Sequence, residues 1–156
     1  MKKMILILSA AVGLYACSGN ASKQETPAAS TPAKTESGNP AYDPERGAGK
    51  FKDVAVSATL DKPMAEAGLK VYDVKCASCH KLSDEKLVGP GWKDVTRRHK
   101  PEWILNFITN VDEMLEKDAK AQAMLELCLV RMPNQNLSDE EARNVYEYMR
   151  QNDGVK

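Results

Sequence analysis

The clearest amphipathic pattern of the chain lies near its C-terminus. Apolar residues there recur at helical spacing and share one face: Ala142, Val145, Tyr148 and Met149. Ser138 is followed three residues later by Glu141, a capping box that predicts a helix beginning after Ser138. Asn152-Asp153-Gly154 is typical of a helix end, so this helix should span about four turns.

Three further helices are predicted upstream. The first runs over about 61–76, a short one starts at Pro101, and a longer one covers about 112–129 before Pro133 stops it. Residues 81–100 are rich in glycine and proline and are predicted to form a loop. No strand pattern of useful length appears. The sequence therefore predicts an all-α domain of about four helices over residues 61–156.

The N-terminus has the pattern of an export signal. Two lysines precede an apolar stretch over residues 4–16, which is too short for the roughly 20 residues of a membrane span. Residues 14–17, Leu-Tyr-Ala-Cys, resemble the cleavage box of bacterial lipoproteins. That resemblance implies a signal peptide over 1–16 and acylation of Cys17, with Ser18 favouring the outer membrane. The alternative is ordinary cleavage that leaves Cys17 unmodified.

Two linking segments follow. Residues 17–41 contain almost no apolar side chain larger than alanine, so they cannot bury enough surface to order themselves and are predicted to be a disordered membrane tether. Residues 42–60 are predicted to be an extended strap on the domain. The whole chain carries 22 basic and 22 acidic residues, a balance that gives no argument for nucleic-acid binding.

The motif Cys76-Ala77-Ser78-Cys79-His80 carries the chemistry. C-x-x-C-H is the attachment site of c-type haem: the two thiols form thioethers with the vinyl groups, and His80 supplies an axial nitrogen. A thioredoxin-like pair would need a βαβ pattern. A zinc site would have only His99 and Cys128 as further typical ligands, and a Cys76–Cys79 disulfide would close a strained loop.

The motif and its surroundings resemble class I cytochromes c over about residues 61–152. The residues that carry the resemblance are Gly68 and Tyr72 before the motif, Gly89-Pro90 after it, Met132-Pro133, and the helix start at Leu137–Glu141. The resemblance implies one covalent haem c. It also implies that the Pro90 carbonyl holds His80, that Met132 is the distal ligand, and that Gly68 lets the first and last helices cross closely near Tyr148.

The residues themselves also favour Met132 as the ligand. Of the seven methionines, only Met132 lies in a non-helical stretch between two predicted helices. The rival, His99, lies in an Arg-Arg-His-Lys run and is predicted to be a surface histidine. Cys128 is predicted to be a small, buried, unreactive side chain.

Four other side chains are possible neighbours of the haem. Trp92 and Trp103 could flank its edge, and Arg97 or Arg98 could pair with a propionate. Each could equally be a packed aromatic or an exposed charge.

These features predict an electron carrier and no enzyme. Two protein ligands would close the iron to substrate, and the expected partners are a quinol-oxidising complex as donor and a terminal oxidase or an exported nitrous oxide or nitrite reductase as acceptor. The protein is expected to face the periplasm from a lipid anchor. The alternatives are a haem enzyme or gas sensor with an open distal site, and a fixed cytochrome subunit of a larger respiratory complex.

Overall fold

A computed structural model describes residues 42–156, so the predicted signal peptide, Cys17 and the tether lie outside the described residues. The all-α prediction is confirmed, because this part of the chain contains helices and no strand. The elements are α1 (Lys62–Lys75), α2 (Val95–Arg98), α3 (Pro101–Thr109), α4 (Val111–Lys117), α5 (Ala119–Cys128) and α6 (Asp139–Asn152). Between residues 42 and 156, no helix combines the length and apolar character needed to cross a membrane.

The first and last helices form the centre of the domain. The predicted capping box is confirmed: Ser138 Oγ accepts from the Glu141 amide, and the Glu141 carboxylate accepts from the Ser138 amide. The four apolar residues of α6 are buried, each at most 8% exposed. The close crossing is also confirmed, because a Cβ added to Gly68 would lie 2.0 Å from the Asn144 carbonyl oxygen and 2.8 Å from Tyr148 Cβ.

The prediction of one helix over 112–129 is wrong, since the chain breaks at Asp118 into α4 and α5. Asp118 has extended backbone, and its carboxylate accepts a hydrogen bond from the Ala121 amide, which caps α5. The same fully buried carboxylate accepts from Trp103 Nε1, 3.1 Å away, and from the Tyr42 hydroxyl. Two tertiary donors and one cap therefore stabilise the break.

Residues 42–60 contain neither helix nor strand and run along the helices. Asn106 on α3 is fully buried: its amide group donates to the carbonyl oxygens of Arg46 and Phe51 and accepts from the Phe51 amide. Near the end of the segment, the Asp61 amide donates to Glu147 on α6. Buried side chains thus supply the hydrogen-bond partners that the irregular backbone needs.

The predicted loop over 81–100 contains one short helix, α2, that the sequence pattern did not indicate. Its start is held by Asp153 at the end of α6, whose carboxylate accepts from the Asp94 and Thr96 amides and from the Thr96 hydroxyl at 2.6–2.9 Å. The partner that stabilises this turn lies almost 60 residues away, so no local pattern could reveal it.

His99 is not the surface histidine that the charged run predicted. Its ring stacks on Trp103, with centroids 4.1 Å apart and planes 15° from parallel, and its buried Nδ1 has no hydrogen-bond partner among the described residues. Burial, helped by the positive charges of Arg98 and Lys120, lowers the pKa of His99 to about 4. The run is charged, but the ring in its middle packs inward.

His99 should therefore make the fold sensitive to acid. The pKa of His99 is about 6.5 in the unfolded chain and about 4 in the folded protein, so stability is lost as pH falls through that window. The loss is about 2–3 kcal/mol, because partial exposure of the ring weakens the effect. His99→Phe keeps the stacking ring and cannot titrate. Urea unfolding at pH 7 and pH 4.5 should show a shallower pH dependence for this variant, and an equal dependence would contradict the assignment.

Candidate functional site

The end of α1 and the turn after it place the motif residues together. The amides of Cys79 and His80 both donate to the Cys76 carbonyl at 3.0 Å, which folds the motif into one turn. Cys76 is buried, and burial raises the pKa of its thiol to about 11. Cys76 and Cys79 do not form a disulfide with each other, so both sulfur atoms are available for thioether bonds.

His80 is oriented by the loop that follows it. His80 Nδ1 lies 2.9 Å from the Pro90 carbonyl oxygen, as the resemblance implies. A carbonyl only accepts, so Nδ1 carries the proton and Nε2 keeps its lone pair for a ligand bond. Burial lowers the pKa of His80 below its usual value, which favours the neutral imidazole that a metal requires.

Gly89 makes room for the imidazole. A Cβ at Gly89 would lie 2.3 Å from His80 Cε1 and within 3 Å of both ring nitrogens. The loop backbone therefore lies directly against the ring, and only glycine leaves that space free.

Aromatic side chains hold the other side of the motif. The Tyr72 hydroxyl donates to the His80 carbonyl oxygen at 2.8 Å, and the Trp92 ring lies 5.6 Å from the imidazole. Tyr72 also packs on Trp92 and on Tyr148, at 4.9 and 5.4 Å between ring centroids. The sequence pointed to Tyr72 but not to this hydrogen bond, although Tyr72 lies only eight residues before His80.

Two open cavities adjoin the motif. Cys79, His80, Met132 and Pro133 line both of them. The first cavity is otherwise walled mainly by apolar residues of α3 to α5: Phe107, Leu115, Ala121, Met124 and Leu125. The second is walled by Cys76, Trp92, Ile108, Leu137 and Val145, among others. Met132 is thus brought to His80, and the wall residues were predicted only as apolar helix positions.

Two of the predicted haem neighbours lie elsewhere. Trp103 stacks on Phe107 at 5.2 Å and on His99, and it lines neither cavity, so of the two alternatives the structure favours the packed aromatic. Arg97 is bound to Asp94 and to the Asp153 carbonyl.

The other two candidates and Cys128 lie nearer the motif. Trp92 lines the second cavity. Arg98 lines a third cavity next to Pro90, which it shares with Met124 and the half-buried Cys128. The Arg98 guanidinium donates to the backbone carbonyl oxygens of Gly91 and Lys93.

The residues present fit a haem c. The macrocycle is large, flat and mostly apolar, and it needs apolar walls, two free thiols on one turn and an imidazole with an unprotonated nitrogen. The described residues supply all three, and Gly89 leaves free the space in which the His80 ring is held.

The comparisons agree with this geometry. The family model for cytochrome c matches residues 65–153. Cytochrome c from Rhodothermus marinus is 32% identical, with a TM-score of 0.68, covering 71% of this chain and 97% of that one. An engineered form of it, Rma TDE, superposes with a TM-score of 0.67, and the same form bound to a carbene intermediate with 0.64. No curated protein sequence matched.

The fold and the site thus define a c-type haem protein of the mono-haem kind. The chain belongs to the cytochrome c family, since the family model covers more than half of it and the R. marinus protein matches along almost its whole length. It is an electron-carrying haem protein with one covalently attached haem c. The thioredoxin-like and zinc interpretations of the motif are thereby excluded.

Proposed function

We propose that the protein shuttles single electrons between respiratory redox partners, with Cys76 and Cys79 as thioether sites and His80 and Met132 as the two axial ligands. The observation that carries this proposal is that His80 and Met132 line the same two cavities while His80 Nδ1 is occupied by Pro90. Two protein ligands would leave the iron closed to substrates.

Haem c supplies a one-electron Fe(II)/Fe(III) couple when bound. The protein's own residues hold the iron ligand His80 in a fixed position, which favours fast electron transfer. The Pro90 carbonyl and Gly89 fix the plane of the His80 ring, and Tyr72 fixes the backbone that carries it. Apolar walls around the haem would limit the amount of water that has to reorganise during the transfer. A thioether from Met132 favours the reduced state and raises the potential.

The proposed partners are those expected for an exported single-electron carrier. We propose a membrane quinol-oxidising complex as donor and a terminal oxidase or an exported nitrous oxide or nitrite reductase as acceptor. The N-terminal sequence supports export and a lipid anchor at Cys17, and a tether over residues 17–41 would raise the effective concentration of the carrier at membrane partners.

Met132→Ala tests the ligand set. The oxidised wild-type protein is expected to be low-spin and to show the long-wavelength sulfur-to-iron charge-transfer band. The variant should lose that band, and its midpoint potential should fall by roughly 100 mV or more, within the span that axial ligands control. Absorption spectra and redox titration measure both effects.

Met124→Ala is the matched control. Met124 lines the first cavity from α5 without lining the second, so its removal should leave the band in place. Loss of the band in Met124→Ala alone would assign the ligand to Met124. A high-spin wild-type protein that binds carbon monoxide readily would overturn the carrier function and favour a gas sensor or haem enzyme.

A further inference from the structure

Three aromatic rings form a continuous stack that ends at the wall of the first cavity. They belong to His99, Trp103 and Phe107, which are spaced four residues apart, and the last two lie on α3. The ring centroids of His99 and Trp103 are 4.1 Å apart, and those of Trp103 and Phe107 are 5.2 Å apart with planes only 6° from parallel. Phe107 lines the same cavity as His80 and Met132. The stack therefore connects His99 to the haem site.

The histidine at the far end of this stack does more than a packing residue requires. Its Nδ1 is buried without a hydrogen-bond partner among residues 42–156, which costs stability that a phenylalanine would keep. The residue as a whole is half-buried, so a proton from solvent can reach the ring. The chain has two histidines, and the other is His80. His99 is thus the one imidazole that remains free to take up a proton.

Charged groups face His99 from each of the neighbouring elements. Burial lowers the pKa of His99 to about 4, helped by the positive charges of Arg98 on α2 and Lys120 on α5. Asp118, between α4 and α5, and Glu45 in the segment before α1 oppose that shift. Lys120 also pairs with Glu45 at 2.6 Å. In this group His99 is the side chain that is uncharged at neutral pH and becomes positive in acid.

We infer that His99 is a proton-linked regulator of the haem, and that protonation of its ring raises the midpoint potential of the Fe(II)/Fe(III) couple. A positive charge at the end of the stack favours the reduced iron, which carries one positive charge fewer, and the apolar rings in between screen little of this interaction. By reciprocity, reduction makes His99 bind its proton more tightly. Each electron taken from the donor is then accompanied by a fraction of one proton taken from solvent.

This inference rests on the proposed function, because it concerns the same haem and adds its regulation. The proton affinity of His99 should differ roughly fivefold between the two oxidation states, at the lower end of ordinary coupling between two sites. At 59 mV per tenfold for a one-electron couple, the midpoint potential should rise by about 40 mV as pH falls through the titration of His99. Redox titration of the haem-loaded exported chain carrying Cys17→Ser, from neutral pH down to about pH 3.5, measures this rise.

His99→Phe keeps a ring on Trp103 and takes up no proton, so the rise should be absent from this variant. Haem carboxylates can also titrate, but they contribute to both proteins, and the difference between the two curves isolates His99. Lys100→Gln is the matched control, because it removes a positive charge from the adjacent exposed residue and leaves the stack in place. Its curve should run parallel to that of the wild type. Equal pH dependence in the wild type and in His99→Phe would overturn the inference.

The wild-type protein offers a second measurement that needs no variant. NMR can follow the ring protons of His99 against pH in both oxidation states, since His80 does not titrate as an iron ligand. The pKa of His99 should be higher in the reduced protein, and equal values in the two states would overturn the inference even if His99→Phe fails to fold. A high-spin oxidised protein, or one that cannot be cycled between oxidation states, fails the proposed function itself. A low-spin protein with equal pKa values fails only the regulation by His99.

Discussion

Replacing Gly68 with alanine should lower the thermal midpoint of the haem-loaded protein by about 10–20 °C, which corresponds to about 3–5 kcal/mol for a domain of this size. The new Cβ would lie 2.0 Å from the Asn144 carbonyl oxygen and 2.5 Å from its carbon. Both are backbone atoms of α6, so neither can rotate away. The two helices must separate, and the packing of α1 on α6 is lost along the crossing.

Glu66 provides the comparison for Gly68. It is exposed on the same helix, and there alanine should be more stable than glycine by about 1 kcal/mol because of helix propensity alone. Calorimetry of Glu66→Ala, Glu66→Gly and Gly68→Ala should therefore give opposite signs at the two positions. A stabilising Gly68→Ala would show that the helices do not cross at this distance.

Replacing Gly89 with alanine should disrupt the haem site while leaving the haem attached. The added methyl group needs the space that His80 Cε1 occupies, 2.3 Å away, so the imidazole must move off the Pro90 carbonyl. Cys76 and Cys79 are untouched, so covalent attachment should survive. The expected result is mixed or high-spin oxidised protein in most molecules, and a changed midpoint potential, measured by absorption and electron paramagnetic resonance.

Leu87→Ala is the matched loop control. It lies two residues earlier, is 47% exposed and lines neither cavity that His80 shares with Met132, so its spectrum should match the wild type. Gly89→Ala with an unchanged low-spin spectrum would mean that the loop yields more easily than the ring. In that case Gly89 would have no part in orienting His80.

The accuracy of the sequence predictions follows the range of the interactions involved. The α6 cap was predictable because Ser138 and Glu141 are three residues apart and bond to each other's backbone. The apolar face of α6 was predictable because burial repeats every turn. The motif at Cys76–His80 carries its chemistry in five consecutive residues, and the family comparison confirms the haem that it predicts.

The errors occur where a distant partner overrides the local pattern. Residues 112–129 have the periodicity of one helix, but the Asp118 carboxylate accepts hydrogen bonds from Tyr42 and Trp103. These buried hydrogen bonds stabilise the fold more than an unbroken helix at Asp118 would. His99 lies among charged neighbours, yet the face of Trp103 provides a stacking surface that the run itself does not reveal.

The sequence by itself determined the helical class, the helix caps and the haem-attachment turn, because each depends on residues within one or two turns of each other. Only the tertiary structure decided that Met132 lines the same cavities as His80 and that His99 packs inward. Those outcomes depend on side chains from segments far apart in sequence. The burial of those side chains is decided only when the segments pack. Hydrophobic periodicity shows that a residue faces the core, but it does not show which residue it contacts there.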